Sequence, residues 1–148
     1  VGRILGLDYG RRRIGVAVSD PLGLTAQPLE TWVDLDWKEV GERVCTLVVD
    51  MGVEKVVVGF PLTLKGTRGR MTQEVERFAA TLHRRIQIPV ILWDERLTSI
   101  QAERFLQQVD EKPSRKKRKV DLIAAVLILQ NYLDYLKGAS EKDQGEKG

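Results

Sequence analysis

The chain has 148 residues, 43% of them hydrophobic and 30% charged, which fits one domain with one core. Its single cysteine, Cys45, excludes an intrachain disulfide or a thiolate zinc cage, and no apolar run approaches the ~20 residues of a membrane span. No signal peptide is visible, so the cytosol is the expected compartment. The net charge of +3 and a pI of about 9.1, with Arg and Lys clustered, favour an anionic partner.

Residues 3–9 and 13–19 read as strands joined by a short basic turn around Gly10-Arg11-Arg12, and residues 24–33 supply a third strand of an antiparallel meander. Val40, Val44, Leu47, Val48 and Met51 recur at helical spacing, with Gly52 as the stop. Lys55 to Phe60 is a β-branched run expected to form a buried parallel strand. After a Gly- and Thr-rich loop, Pro61 to Arg70, a second amphipathic helix carries Val75, Phe78, Ala79, Leu82 and Ile86. Val90 to Trp93 is the fifth strand, and Thr98-Ser99-Ile100-Gln101 opens a helix to about Gln108. Six of the eight residues from Lys112 to Lys119 are Lys or Arg, and Pro113 argues for a mobile loop there. A last helix is expected from about Val120 to Leu136. The pattern is α/β: a mixed five-stranded sheet, three antiparallel strands then two parallel, flanked by helices. Residues 1–137 form the expected domain and 138–148 a disordered polar tail.

Acidic residues recur at the ends of these elements. Asp8 ends the first strand, Asp94 and Glu95 end the fifth, and strand alternation lets only one of that pair share a pocket with Asp8. Asp121 lies on the last helix's packing stripe with Ala124, Ala125, Ile128, Leu129, Tyr132 and Leu136, where burying a carboxylate is costly unless donors or a cation compensate. Three converging carboxylates call for a cation, and Mg²⁺ or Mn²⁺ takes oxygen ligands. Taken singly, each acid also has a plainer role: a turn for Asp8, a surface ion pair for Asp94 or Glu95, a helix-dipole charge for Asp121. Gly66-Thr67-Arg68-Gly69-Arg70, between strand and helix, offers backbone N–H groups and two guanidinium forks to a phosphate. The cationic run is suited to a polyanion without reading its sequence. His83 is expected at the solvent, and Cys45, Trp32, Trp37 and Trp93 in core or edge packing.

Four segments in order resemble the YqgF family, the Holliday-junction-resolvase-like proteins of the ribonuclease H-like superfamily. They are Leu5-Gly6-Leu7-Asp8-Tyr9-Gly10 with Arg13 to Asp20, Val58 to Leu62 with Gly66, Thr67 and Gly69, Asp94 to Thr98, and Asp121 to Gln130. Phe60, Lys65 and Leu122 depart from the family's usual residues, and none is a proposed ligand. The resemblance implies a ribonuclease H-like fold and a metal-binding catalytic set of Asp8, Glu95 and Asp121, with Asp94 as the substitute for Glu95. It implies a Mg²⁺- or Mn²⁺-dependent nuclease, monomer or homodimer, that matures the 5′ end of pre-16S ribosomal RNA or resolves branched DNA. Arg12, Arg13, Arg68, Arg70, Arg115, Lys116, Lys117, Arg118 and Lys119 are the expected nucleic-acid contacts. Two rivals predict no cleavage: a nucleic-acid-binding protein without turnover, and an actin-like kinase lobe, which needs a second lobe.

Overall fold

The computed structural model describes residues 2–60, 70–94 and 113–146, with side-chain surroundings described for 2–59, 71–94 and 120–139. Its strands are β1 (Arg3–Asp8), β2 (Arg13–Ser19), β3 (Ala26–Val33), β4 (Val53–Phe60) and β5 (Val90–Asp94). They form one sheet in the order β3-β2-β1-β4-β5. The β1–β2 and β2–β3 pairs are antiparallel, and β1–β4 and β4–β5 are parallel, as the sequence predicts. Three helices are described: α1 (Trp37–Met51), α2 (Arg70–Ile86) and α3 (Pro113–Glu146). The segment expected to form a helix from Thr98 to Gln108 lies outside the described residues.

Alternation along the strands sorts the side chains into two layers. Leu5, Leu7, Ile14, Val16, Val56 and Val58 face α1 and α2, where Val40, Val44, Val75, Phe78 and Leu82 complete a large buried cluster. Ile4, Ala17 and Val57 face the other way, onto Ala125, Ile128, Leu129, Tyr132 and Leu133 of α3. The second layer is thin because its strand residues are small. A Cβ on Gly6 would stand 2.8 Å from the Cβ of Leu129, so the missing side chain lets the helix backbone come down onto β1.

Helix α1 begins with a capping box, Asp36 accepting from the Glu39 backbone at 2.7 Å while Glu39 reaches back, and ends at Gly52 as expected. Two expectations at α3 need correction. Residues Pro113–Lys119, read as a mobile loop, are helical, and Lys112 lies outside the described residues. Proline is excluded from helix interiors but not from the first helical position, where its missing N–H has no partner to lose. At the other end the backbone is helical to Glu146, past the expected end at Leu136. One glycine, Gly138, costs only about 1 kcal/mol against alanine and does not stop a helix unless it turns left-handed. Cys45, expected in packing, is exposed, on the outward side of α1. His83 is at the surface as predicted, its Nδ1 2.9 Å from the Ile88 carbonyl oxygen.

Candidate active site

Parallel pairing brings the C-terminal ends of β1, β4 and β5 to one edge of the sheet. Asp8 is the last residue of β1 and lies opposite Gly15 of β2. Residues directly opposite in an antiparallel pair project from the same face, so Asp8 shares the α3 face with the space above Gly15. The Asp121 backbone fills that space: a Cβ on Gly15 would fall inside its carbonyl group and within 3.1 Å of the Leu122 nitrogen. Asp8 and Asp121, 113 positions apart by their numbers, are therefore both neighbours of one glycine. Both are half-buried.

Asp121 does not stand alone there. Arg13, two residues before Gly15 and on the same face, donates from Nε to Asp121 Oδ2 at 3.0 Å. Burial still pushes the Asp121 carboxyl above its ordinary pKa, against the opposing pull of the Arg13 hydrogen bond and charge. One guanidinium does not fully offset the desolvation. Sequence reading makes Arg13 a nucleic-acid contact; the structure places it on Asp121.

The fifth strand gives a direction but not the whole set. Val90 packs into the α1–α2 layer, while Ile91 and Trp93 pack against α3. Asp94 alternates away from Asp8 and is exposed. Glu95 lies outside the described residues, as does Arg68. Among the described residues no three His, Cys, Asp or Glu side chains form a metal-holding group.

The basic residues divide by place. Arg12 is exposed, its Nε 3.4 Å from Asp34 Oδ1, a loose surface pair of small energy. Arg70 is the first residue of α2. Arg115 to Lys119 occupy the opening turns of α3, and the axial distance from Arg115 to Asp121 is about 9 Å at the usual helical rise. Arg115 to Lys119 are thus joined to Asp121 by continuous helix rather than by a loop.

One group escaped sequence reading. Tyr9, next to Asp8, turns to the opposite face and stacks on Phe78 with ring centroids 4.5 Å apart. Its hydroxyl donates to Glu74 Oε2 at 2.8 Å and accepts from Trp37 Nε1 at 3.2 Å, and burial raises its pKa. Arg11 Nε donates to the other Glu74 oxygen at 3.0 Å. These bonds pin the turn after Asp8 to α2 and so fix the strand tip. The only signal was the Asp-Tyr pair itself, since Glu74 is remote in sequence.

The family model for Holliday junction resolvases of the RuvX type matches residues 2–135. The chain belongs to that family. Among its relatives, a Syntrophus aciditrophicus protein is 49% identical over 132 residues, 89% of this chain and 88% of the relative. One from Listeria monocytogenes serotype 4b is 48% identical over 134 residues, 89% and 97% of the two chains. Both carry the name "Putative pre-16S rRNA nuclease". The RuvC of T. thermophilus, solved in complex with a Holliday junction substrate, superposes with a TM-score of 0.52 at 18% identity over 93% of this chain and 97% of that one. The fowlpox virus resolvase, solved with Holliday junction DNA, gives 0.53 at 15% identity over 90% and 98%. At such identities the likeness concerns the fold, which is the resolvase, ribonuclease H-like one.

Proposed function

We propose that the chain is a divalent-metal-dependent nuclease that processes the 5′ end of pre-16S ribosomal RNA, with Asp8, Glu95 and Asp121 as its catalytic and metal-holding residues. The observation that carries this reading is the shared neighbourhood of Asp8 and the Asp121 backbone at Gly15, at the edge where three parallel strands end. Asp94 is exposed and alternates away from the Asp8 face, which disfavours it as the third ligand and leaves Glu95 as the choice. The donors are carboxylate oxygens, suited to Mg²⁺ or Mn²⁺, and the raised proton affinity of Asp121 fits a place built for a further cation. A divalent ion there supplies positive charge to oxygens on phosphorus during hydrolysis.

The chain's own residues do the positioning. Tyr9 and Glu74 hold the tip of β1, and Arg13 orients the Asp121 carboxylate. Arg12, Arg68, Arg70 and the cationic start of α3 bind backbone phosphates, so affinity falls steeply with salt. The relatives' name supports ribosomal RNA as the substrate. The family description favours a second reading, cleavage of branched DNA, which calls for a two-fold dimer to cut both strands.

The test is Mg²⁺-dependent cleavage of pre-16S RNA and of a four-way DNA junction, assayed side by side with native protein and Asp8→Asn. The expected result is RNA product from the native chain only, with folding and RNA binding retained in the variant. Undiminished cleavage by Asp8→Asn overturns the site, and product from the junction alone overturns the substrate.

A further inference from the structure

The edge strand β5 carries an aromatic cluster that the proposed chemistry does not use. Trp93 meets Tyr132 edge-on, with centroids 5.3 Å apart and planes at 89°, and Tyr135 at 5.2 Å and 53°. Tyr132 is buried and held from behind by Lys55, whose Nζ donates to its hydroxyl at 3.0 Å. Trp93 is half-buried, while Tyr135 is 58% exposed. A large ring left that open while its neighbours are locked is poor economy for packing alone, because the exposed ring face gains little from burial. It does offer a flat apolar surface on a rigid support.

Its position is the second observation. Leu7 pairs with Val58 and Gly59 with Trp93, so Asp8, one residue beyond Leu7, is level with Trp93. Both lie on the α3 face, two strands apart, about 10 Å at ordinary strand spacing. Charge nearby is mixed: Lys137 is exposed two residues after Tyr135, and Asp134, also exposed, accepts from the Gln130 amide at 3.0 Å.

We infer that Trp93 and Tyr135 form a stacking platform for the bases of an unpaired strand that runs from the Asp8–Asp121 edge along β5. This rests on the reading of nucleic acid as substrate and narrows it to a substrate with single-stranded nucleotides beside the cleaved phosphate. Stacking is indifferent to base identity, so the platform selects unpaired over paired strands without choosing a sequence. Trp93 and Tyr135 are binding residues, and Lys55 positions Tyr132 beneath them.

The test is binding in EDTA, where metal-dependent cleavage cannot occur, using a short oligouridylate and an RNA duplex of equal length. Native protein should show tryptophan quenching by the oligouridylate, and Trp93→Phe should abolish that quenching while Trp32 and Trp37 still emit. Tyr135→Ala should weaken oligouridylate binding roughly tenfold and leave duplex binding unchanged. Tyr135→Phe, which keeps the ring, should bind as the native chain does. Quenching that survives Trp93→Phe, or equal loss on both RNAs in Tyr135→Ala, overturns the platform. The cleavage assay and this binding assay fail independently: product without Trp93-dependent quenching sinks only the platform, and quenching without product sinks only the nuclease reading.

Discussion

The two faces of the sheet solve different problems with the same five strands. Toward α1 and α2, Leu5, Leu7, Val16, Val56 and Val58 meet Phe78, Leu82 and Val44 in a thick layer of large side chains. Toward α3, the positions between them are Gly6, Asp8, Gly15, Ala17 and Val57, and the helix backbone rests almost on the strands. Bulk on the first face supplies stability through buried apolar area. Its removal on the second lets the Asp121 backbone settle on Gly15, the strand partner of Asp8. The molecule thus separates bulk packing from the candidate site by strand parity.

That contrast can be broken from either side. The largest stability loss is expected from Phe78→Ala, about 3–5 kcal/mol by denaturant unfolding. Because Phe78 stacks on Tyr9, on the face opposite Asp8, cleavage per folded molecule should fall far less than stability does. Gly15→Ala should do the reverse. It forces the Asp121 carbonyl away and is expected to cost about 1–3 kcal/mol. It should also cut cleavage roughly 100-fold through misplacement alone, with both carboxylates intact. Normal turnover by Gly15→Ala would show that the close approach of α3 is incidental.

A smaller effect should appear in the pH dependence of stability. Burial raises the folded-state pKa of Asp121 above the 3.8 of an ordinary aspartate. The folded protein therefore holds that proton more tightly than the unfolded chain. This stabilising contribution is complete below the unfolded value and is lost as pH rises through the raised native one. In chelating buffer, Asp121→Asn should remove that part of the profile. Arg13→Gln should move it to higher pH, since Arg13 opposes the shift. The smallest expected change lies away from both layers. A Cβ at Gly138 meets nothing within 4 Å, so Gly138→Ala should raise stability by up to about 1 kcal/mol and leave cleavage alone. Thermal unfolding of the two chains checks it.

Much of this was written in the residues. Alternation and β-branching set the strands, the helical spacing and Gly52 set α1, and the order of elements gave the mixed sheet. Four local motifs were sufficient to suggest the family. Short-range chemistry decides such features, so a short window of sequence contains them. The helix over Pro113–Lys119 is not legible locally, because a proline has opposite meanings at the first helical position and inside a helix, and only the start of the helix tells which applies.

Tertiary structure alone decided what required two distant segments to touch. That Gly15 is the seat for Asp121, that Arg13 serves this carboxylate rather than a phosphate in the free protein, and that Tyr9 locks to Glu74 all depend on how α2 and α3 lie on the sheet. The same holds for the level shared by Trp93 and Asp8, which follows from strand register. Local propensity carries no information about register or close approach, because both come from packing between surfaces made by separate stretches of chain.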